Sequence, residues 1–324
     1  MREELLDLYF DAFPRDNEAY ARLFIERARA DNIVTYREGG RLLSAGYIVD
    51  KRARFGKEEI GLPYLSAVAT RREHRGKGYA ARIMQAAFDR LYARGESLTA
   101  LYPFNHEYYL RYGYANASFC GKRVVSGGRV FAHRPASRAD IPAMAEVYRA
   151  FSAPYENCLL CGTDYFEALF LEVEADKNKI YLLEDGNGIF AYAVVENGEI
   201  VNYAARSMRL FLRAALFRGM AVRDFSLKRQ AYIQMRILNP LRFLALDIYK
   251  KNFRRVRLSV TDPLLPQNTG VYLVTRRKRE AFAVTRCDDG SAADLAYTIG
   301  GLSQAVFSGR GVFERRRMLF IDKY

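Results

Sequence analysis

The chain has little of what would make it a disulfide scaffold, a metalloprotein or a membrane protein. Four cysteines among 324 residues are too few for a disulfide framework. Cys158-Leu159-Leu160-Cys161 has the spacing of half a zinc site. A zinc ion needs two more ligands at suitable spacing, and the whole sequence holds three histidines, so no metal is expected. Two buried thiols or a redox pair are the readings left for that stretch. The longest apolar runs fall well short of the roughly 20 residues of a membrane helix. Glu3, Glu4, Asp7 and Asp11 stand where a secretory signal needs an apolar region, so a cytoplasmic protein is expected.

The composition is that of a globular protein, half hydrophobic and 14% aromatic. The length allows two or three domains. The net charge of +14 invites a polyanion partner. The basic clusters at 71–77, 254–257, 276–279 and 315–317 lack the interleaved aromatics of a nucleic-acid recognition motif. A basic nucleic-acid scaffold therefore remains only an alternative.

The stretch Tyr64–Ala81 organises the rest. Tyr64–Thr70 is an apolar segment of strand length, and Arg75-Gly76-Lys77-Gly78 is a basic, glycine-punctuated turn. The helix expected over 78–94 has Ala80, Ile83, Met84, Ala87, Phe88 and Leu91 on one face. Strand, tight turn and helix N-terminus together make an anion site, because the first helical N–H groups are unpaired. Gly76 and Gly78 let a phosphate approach the backbone, and Arg75 and Lys77 add charge. A pyrophosphate is the expected ligand.

Around this stretch the pattern predicts helices at 3–13 and 16–29 and a hairpin of 33–37 with 42–50 about Glu38-Gly39-Gly40. A strand at 97–102, a short helix at 105–112 and a strand at 114–120 follow. The unit is α+β or α/β and ends near residue 128. A second unit, 129–229, opens on the capping box Ser137-Arg138-Ala139-Asp140. Its meander covers 179–183, 189–196 and 199–204. A helix is expected over 206–218, with no glycine loop before it. A third unit, 230–324, has strands at 254–261, 271–275 and 281–286 and a short helix after Gly301.

These residues carry a family resemblance. Arg75-Gly76-Lys77-Gly78-Tyr79-Ala80 resembles the acetyl-CoA motif of the GNAT acetyltransferases. Ser66–Thr70 with Glu73-His74-Arg75, followed by Tyr109-Leu110-Arg111-Tyr112-Gly113-Tyr114, is similar to the enhanced intracellular survival (Eis) acetyltransferases. The loop from Thr261 to Gly270 resembles one in the sterol-carrier-protein-like domain that ends those proteins. The resemblance implies tandem GNAT folds, the second degenerate and without cofactor, then the sterol-carrier-protein-like domain. It also implies a homo-oligomer, commonly a hexamer.

The roles it implies fall on particular residues. Val68, Ala69 and Thr70 would pair through their backbone with the pantetheine arm of acetyl-CoA. The amides from Gly76 to Ala81, through Lys77, Gly78, Tyr79 and Ala80, would hold the pyrophosphate beside Arg75. Phe104 and Asn105 would flank the cofactor, although some relatives have serine where Phe104 stands. Tyr109 would be the general acid that protonates the departing thiolate; an ordinary packed aromatic is its other reading. His74, in the phosphate loop, is read as structural or solvent-facing. The terminal carboxylate of Tyr324 would take the proton of the acceptor amine. The expected activity is acetyl-CoA-dependent N-acetylation of a primary amine such as an aminoglycoside, a polyamine or a lysine, by direct attack. A lipid or small-molecule carrier built on the C-terminal domain is the other alternative.

Overall fold

The computed structural model describes residues 1–227, 229–276, 282–287 and 292–320. The chain folds into two compact units. One comprises Met1–Arg15, Ile25–Ser118 and Ala231–Met318. The other comprises Asp16–Phe24, Phe119–Gln230 and the residues from Leu319 onward.

In chain order, α1 (Arg2–Ala12) and α2 (Glu18–Arg27) precede a meander of β1 (Ile33–Glu38) and β2 (Arg41–Val49). Gly39 and Gly40 both have positive φ, at 55° and 80°, which is what the two-residue turn of a hairpin requires. A second hairpin, β3 (Arg52–Phe55) with β4 (Glu58–Gly61), leads into β5 (Tyr64–Thr70). Then come α3 (Tyr79–Ala93), β6 (Leu98–Leu101), α4 (His106–Leu110) and β7 (Ala115–Asn116). The buried face of α3 is Tyr79, Ile83, Met84, Ala87, Phe88 and Leu91. Tyr79 occupies the place the spacing assigned to Ala80, since its long side chain reaches Tyr36 and Glu38.

The single strand expected at 114–120 is two strands in different sheets. After β7 the chain turns through Ala117 and Ser118 and continues as β8 (Phe119–Val124). Next are β9 (Ala132–Pro135), α5 (Ile141–Ser152), β10 (Asn157–Leu159), α6 (Thr163–Ala175), β11 (Lys179–Asp185), β12 (Gly188–Glu196) and β13 (Glu199–Ala205). The helix expected over 206–218 is instead the single turn α7 (Met208–Phe211) and a 3₁₀ turn at Ala215–Phe217. The Ser207 side chain caps α7 by accepting from the Leu210 amide, and Phe211, Ala214 and Phe217 are all buried. The chain goes on through β14 (Ala221–Asp224), β15 (Gln230–Ala231), β16 (Gln234–Ile237) and α8 (Pro240–Phe243). It closes with β17 (Arg255–Thr261), β18 (Gly270–Arg276), β19 (Phe282–Cys287), β20 (Leu295–Thr298), α9 (Ile299–Ser308) and β21 (Met318–Leu319).

The first unit holds a six-stranded sheet, β1-β2-β5-β6-β16-β7, and a four-stranded one, β19-β18-β17-β20. The unexpected member is β16. It lies between β6 and β7, antiparallel to both, with Arg236 opposite Thr99 and Gln234 opposite Leu101 and Asn116. The second unit holds the sheet that runs β8-β14-β13-β12-β11-β9. Its capping box forms as the sequence specifies. The Ser137 N–H and hydroxyl both donate to an Asp140 carboxylate oxygen, at 2.8 and 2.9 Å. Among the described residues no helix is long and apolar enough to cross a membrane.

Candidate active site

The site is built on β5. Its antiparallel pairing with β2 matches Ala45 to Ala69 and Tyr47 to Ser66, so Ala67 and Val68 together face Gly46. That is a β-bulge, and Ala67 has φ of 45°. A left-handed alanine costs about 1–2 kcal/mol, so packing on both sides must hold it. On its other edge β5 is in parallel register with β6 only at Tyr64 and Ala100. Beyond that residue β5 has no further register pair with β6, and Ser66, Ala67, Val68 and Thr70 are half-buried while Ala69 is buried. The Ser44 hydroxyl, donating to the Ala69 carbonyl at 2.6 Å, anchors the β2 side.

At the end of β5 the chain makes a 3₁₀ turn, Arg72–His74, and enters α3 through Gly76 (φ 79°) and Gly78 (φ 83°). Gly78 is the N-cap, and no side chain caps the helix. Its first amides are therefore left for a ligand or water. A Cβ at either glycine would meet nothing within 4 Å, so the backbone conformation demands glycine and the space above stays open. The cations of the turn divide by role. Arg71 donates to Asp7 at 2.7 Å and to the Leu42 carbonyl, and Arg72 is held by Asp11. Arg75 and Lys77 are exposed. The Tyr79 side chain is buried, donating to Glu38 at 3.0 Å and stacked on Tyr36, so only its amide faces the turn's task. Ala80 and Ala81 continue the first helical turn at the surface. His74 approaches Lys77 at 3.4 Å and the ring of Tyr79 at 6.2 Å.

Tyr109 lies on α4. Asn105 caps that helix, its side-chain oxygen accepting from the amides of Glu107 (2.9 Å) and Tyr108 (3.2 Å). Its side chain thus has a structural task beside any contact with a ligand. Phe104, at 78% exposure, is set edge-on to Tyr109. Tyr109 is buried in one cluster with Leu65 of β5, Ile83, Met84 and Phe88 of α3, and Leu265, with Val68 packed against it. Burial, and then the neighbouring Tyr108, pushes the Tyr109 phenol well above its ordinary range. The fold thus brings the bulge, the glycine turn and Tyr109 around one core. Tyr324 lies outside the described residues.

The pattern reading missed three buried polar residues in this unit. Arg236 and Asp262 form an ion pair with both side chains fully buried, and Arg236 Nη2 contacts the two carboxylate oxygens at 2.9 and 2.8 Å. Asp262 also accepts from the amides of Leu264 and Leu265 and from Asn268 Nδ2. That holds the 262–268 loop so that Leu264 accepts from Gln85 of α3 at 2.6 Å. Gln234, the third, donates to the His106 carbonyl and to Asn116. A signal was present, because in Tyr232-Ile233-Gln234-Met235-Arg236-Ile237-Leu238 two polar residues sit at strand period inside an apolar run.

Comparison with known proteins gives this arrangement its class. Residues 2–117 match the acetyltransferase (GNAT) domain, and residues 240–322 match the sterol carrier protein domain. The chain thus carries an acetyltransferase (GNAT) domain in its N-terminal third and a sterol carrier protein domain at its C-terminal end. No curated protein is matched by its sequence. Among solved structures, a probable N-acyltransferase from Enterococcus faecalis V583 superposes with a TM-score of 0.81 at 16% identity, covering 100% of this chain and 97% of that one. A GCN5-related N-acetyltransferase from Anabaena variabilis gives 0.79 at 15% identity, covering 99% and 97%. Eis1 from Mycobacterium abscessus gives 0.70 at 14% identity, covering 95% and 87%. At such identities these likenesses establish the fold.

Proposed function

We propose that the chain transfers an acetyl group from acetyl-CoA to a primary amine by direct attack in a ternary complex. The observation that carries this reading is the edge of β5 beyond Tyr64, which has no further register with β6, with the Ala67 bulge along it and the uncapped, glycine-entered N-terminus of α3 after it. A pantetheine arm pairs there with the backbone of Val68, Ala69 and Thr70 as an added strand. The amides from Gly76 to Ala81 take the pyrophosphate, with Arg75 and Lys77 supplying charge. Phe104 and Asn105 border the thioester end.

Ala67 and Val68 lie in the bulge of the β2–β5 register, and their main-chain N–H groups are read as polarising the thioester oxygen as it gains charge. The amine nitrogen bonds to the carbonyl carbon and the C–S bond breaks. The proton of Tyr109 goes to sulfur, and the amine's own proton leaves to a base. Burial keeps Tyr109 protonated at neutral pH, so the acid is loaded before the reaction begins. Direct attack is favoured over an acetyl-enzyme because Cys120 is buried and burial raises its thiol pKa, whereas the nucleophile would be the thiolate.

The activity is tested by release of free thiol from acetyl-CoA with polyamines, aminoglycosides and lysine peptides. Tight lipid binding without thiol release with any amine would overturn it in favour of a carrier. The Tyr324 carboxylate is read by the same assay on a chain extended by two glycines, where unchanged kcat would remove it as the base. We read residues 129–229 as a GNAT-like repeat that takes no cofactor. The family resemblance further supports a cytoplasmic homo-oligomer, which light scattering measures directly.

A further inference from the structure

The helix that carries Tyr109 is too short to place itself. Five residues, His106–Leu110, form little more than one turn, and an isolated helix of that length is unstable in water. Its position comes from β16, a strand supplied by chain more than a hundred residues later. Gln234 and Arg236 are two apart on that strand and so share one of its faces. Gln234 Nε2 donates to the carbonyl of His106, the first residue of α4, at 2.9 Å. Arg236 Nη1 donates to the carbonyl of Tyr112, just past its last turn, at 2.9 Å. Tyr109 lies between the two fixed carbonyls.

Each end of this clamp is itself held. Gln234 Nε2 also donates to Asn116 Oδ1 at 2.9 Å, and His106 Nδ1 reaches the same oxygen at 3.3 Å. The Arg236 guanidinium is fixed by Asp262 on one side and by the ring of Phe88, 4.6 Å away, on the other. Gly113 completes the fit, since it has φ of 80° and a Cβ there would run into Arg236 Nη1. Packing alone does not call for such residues. Apolar side chains of similar volume generally replace a buried ion pair at no net loss of stability. Gln234 Oε1 and Arg236 Nε are buried without a hydrogen-bond partner among the described residues, which adds to the cost of these choices.

We propose that Gln234 and Arg236 are positioning residues that hold Tyr109 at the transferring acyl group, with Asp262 locking the clamp to the C-terminal domain. The inference rests on Tyr109 being the general acid. It assigns the sterol carrier protein domain a part in catalysis through Asp262, apart from any lipid.

The test is a double-mutant cycle on the full chain, using acetyl-CoA and whichever amine of the panel turns over fastest. Gln234→Met, close in shape but without the donor, is expected to lower kcat about tenfold and leave the KM for acetyl-CoA within about twofold. Combined with Tyr109→Phe it should add no further loss, because the residue it positions has already lost its proton. Proportional loss in both backgrounds, a raised KM for acetyl-CoA, or no loss at all would overturn the clamp. Should Gln234→Met fail to fold, Arg236→Lys carries the same cycle, keeping the charge beside Asp262 while losing the fork. If Tyr109→Phe alone retains full kcat, the general-acid reading fails and the clamp loses its object. If no amine turns over with the parent protein, acetyl transfer itself fails.

Discussion

Each unit contains a parallel strand pair that separates after its first residues, and the two treat the gap in opposite ways. In the first, β5 and β6 are in register at Tyr64 and Ala100 alone, and the separated stretch of β5 stays partly exposed. In the second, β13 and β14 are in register only at Glu199 and Ile200 with Ala221 and Val222. There the Tyr203 hydroxyl crosses to the Arg223 carbonyl at 2.6 Å, and Phe211 stacks on the Tyr203 ring at 5.2 Å. The helix ends differ in the same sense. Gly78 leaves the amides of α3 bare, whereas Ser207 caps α7 by accepting from the Leu210 amide with its own side chain. In the second unit aromatic side chains and a polar cap thus satisfy internally what the first leaves open.

Four measurements break or sharpen this contrast. The largest effect is expected from Tyr109→Phe, which should lower kcat about 10²–10⁴-fold, the usual range for a lost general acid. Acetyl-CoA affinity should be nearly unchanged. Gly78→Asp comes next. It places an L-residue at φ of 83°, and a carboxylate where the pyrophosphate is proposed to bind. Affinity for acetyl-CoA should fall about 100-fold, roughly 2.7 kcal/mol. Ser207→Asp should leave it unchanged, and calorimetry should find one acetyl-CoA per chain. A second equivalent site would end the contrast. Tyr203→Phe removes the hydroxyl that donates to the Arg223 carbonyl across this pair. Denaturant unfolding should show a loss of about 1–3 kcal/mol, with turnover unaltered.

The smallest effect concerns pH. Hydrogen bonds from Arg134, at 2.7 and 2.8 Å, and then from Ser137 hold the Asp140 carboxyl well below its usual range. A depressed carboxylate stabilises the fold above its unfolded pKa, about 3.9. That stabilisation is lost as pH falls through the lower folded value. Asp140→Asn should remove this part of the acid limb and cost about 1 kcal/mol at neutral pH, as lost helix caps do. An unchanged acid limb would mean the carboxylate is not a stabilising group.

The parts legible in the sequence were those fixed by neighbours along the chain. Gly39-Gly40 requires a tight turn wherever it occurs, Gly78 before an amphipathic run marks a helix entry, and Ser137 with Asp140 makes its own cap. Tyr109 was named as a candidate through its surrounding motif, not through any periodicity. What escaped was non-local. Nothing near Ala115 or Phe119 says that those residues part into different sheets, and nothing near Phe211 says that the helix stops after one turn. Val68 could be named as a cofactor residue, but the bulge that frees its backbone needs the two-against-one register with Gly46.

The proposed anion site could be named from a few consecutive residues, because glycine conformations and bare helix amides are local properties. The sequence by itself also determined the GNAT-like order of elements around that point. The polar contacts that hold α4 and the 262–268 loop come from the tertiary structure alone. The Gln234 and Arg236 clamp on α4, the Asp262 loop against α3 and the closing of the second gap by Tyr203 are all pairings between residues far apart in the chain. Burial decides their worth, and local sequence does not encode burial. A charge or an amide removed from water must find its partner wherever the fold brings one.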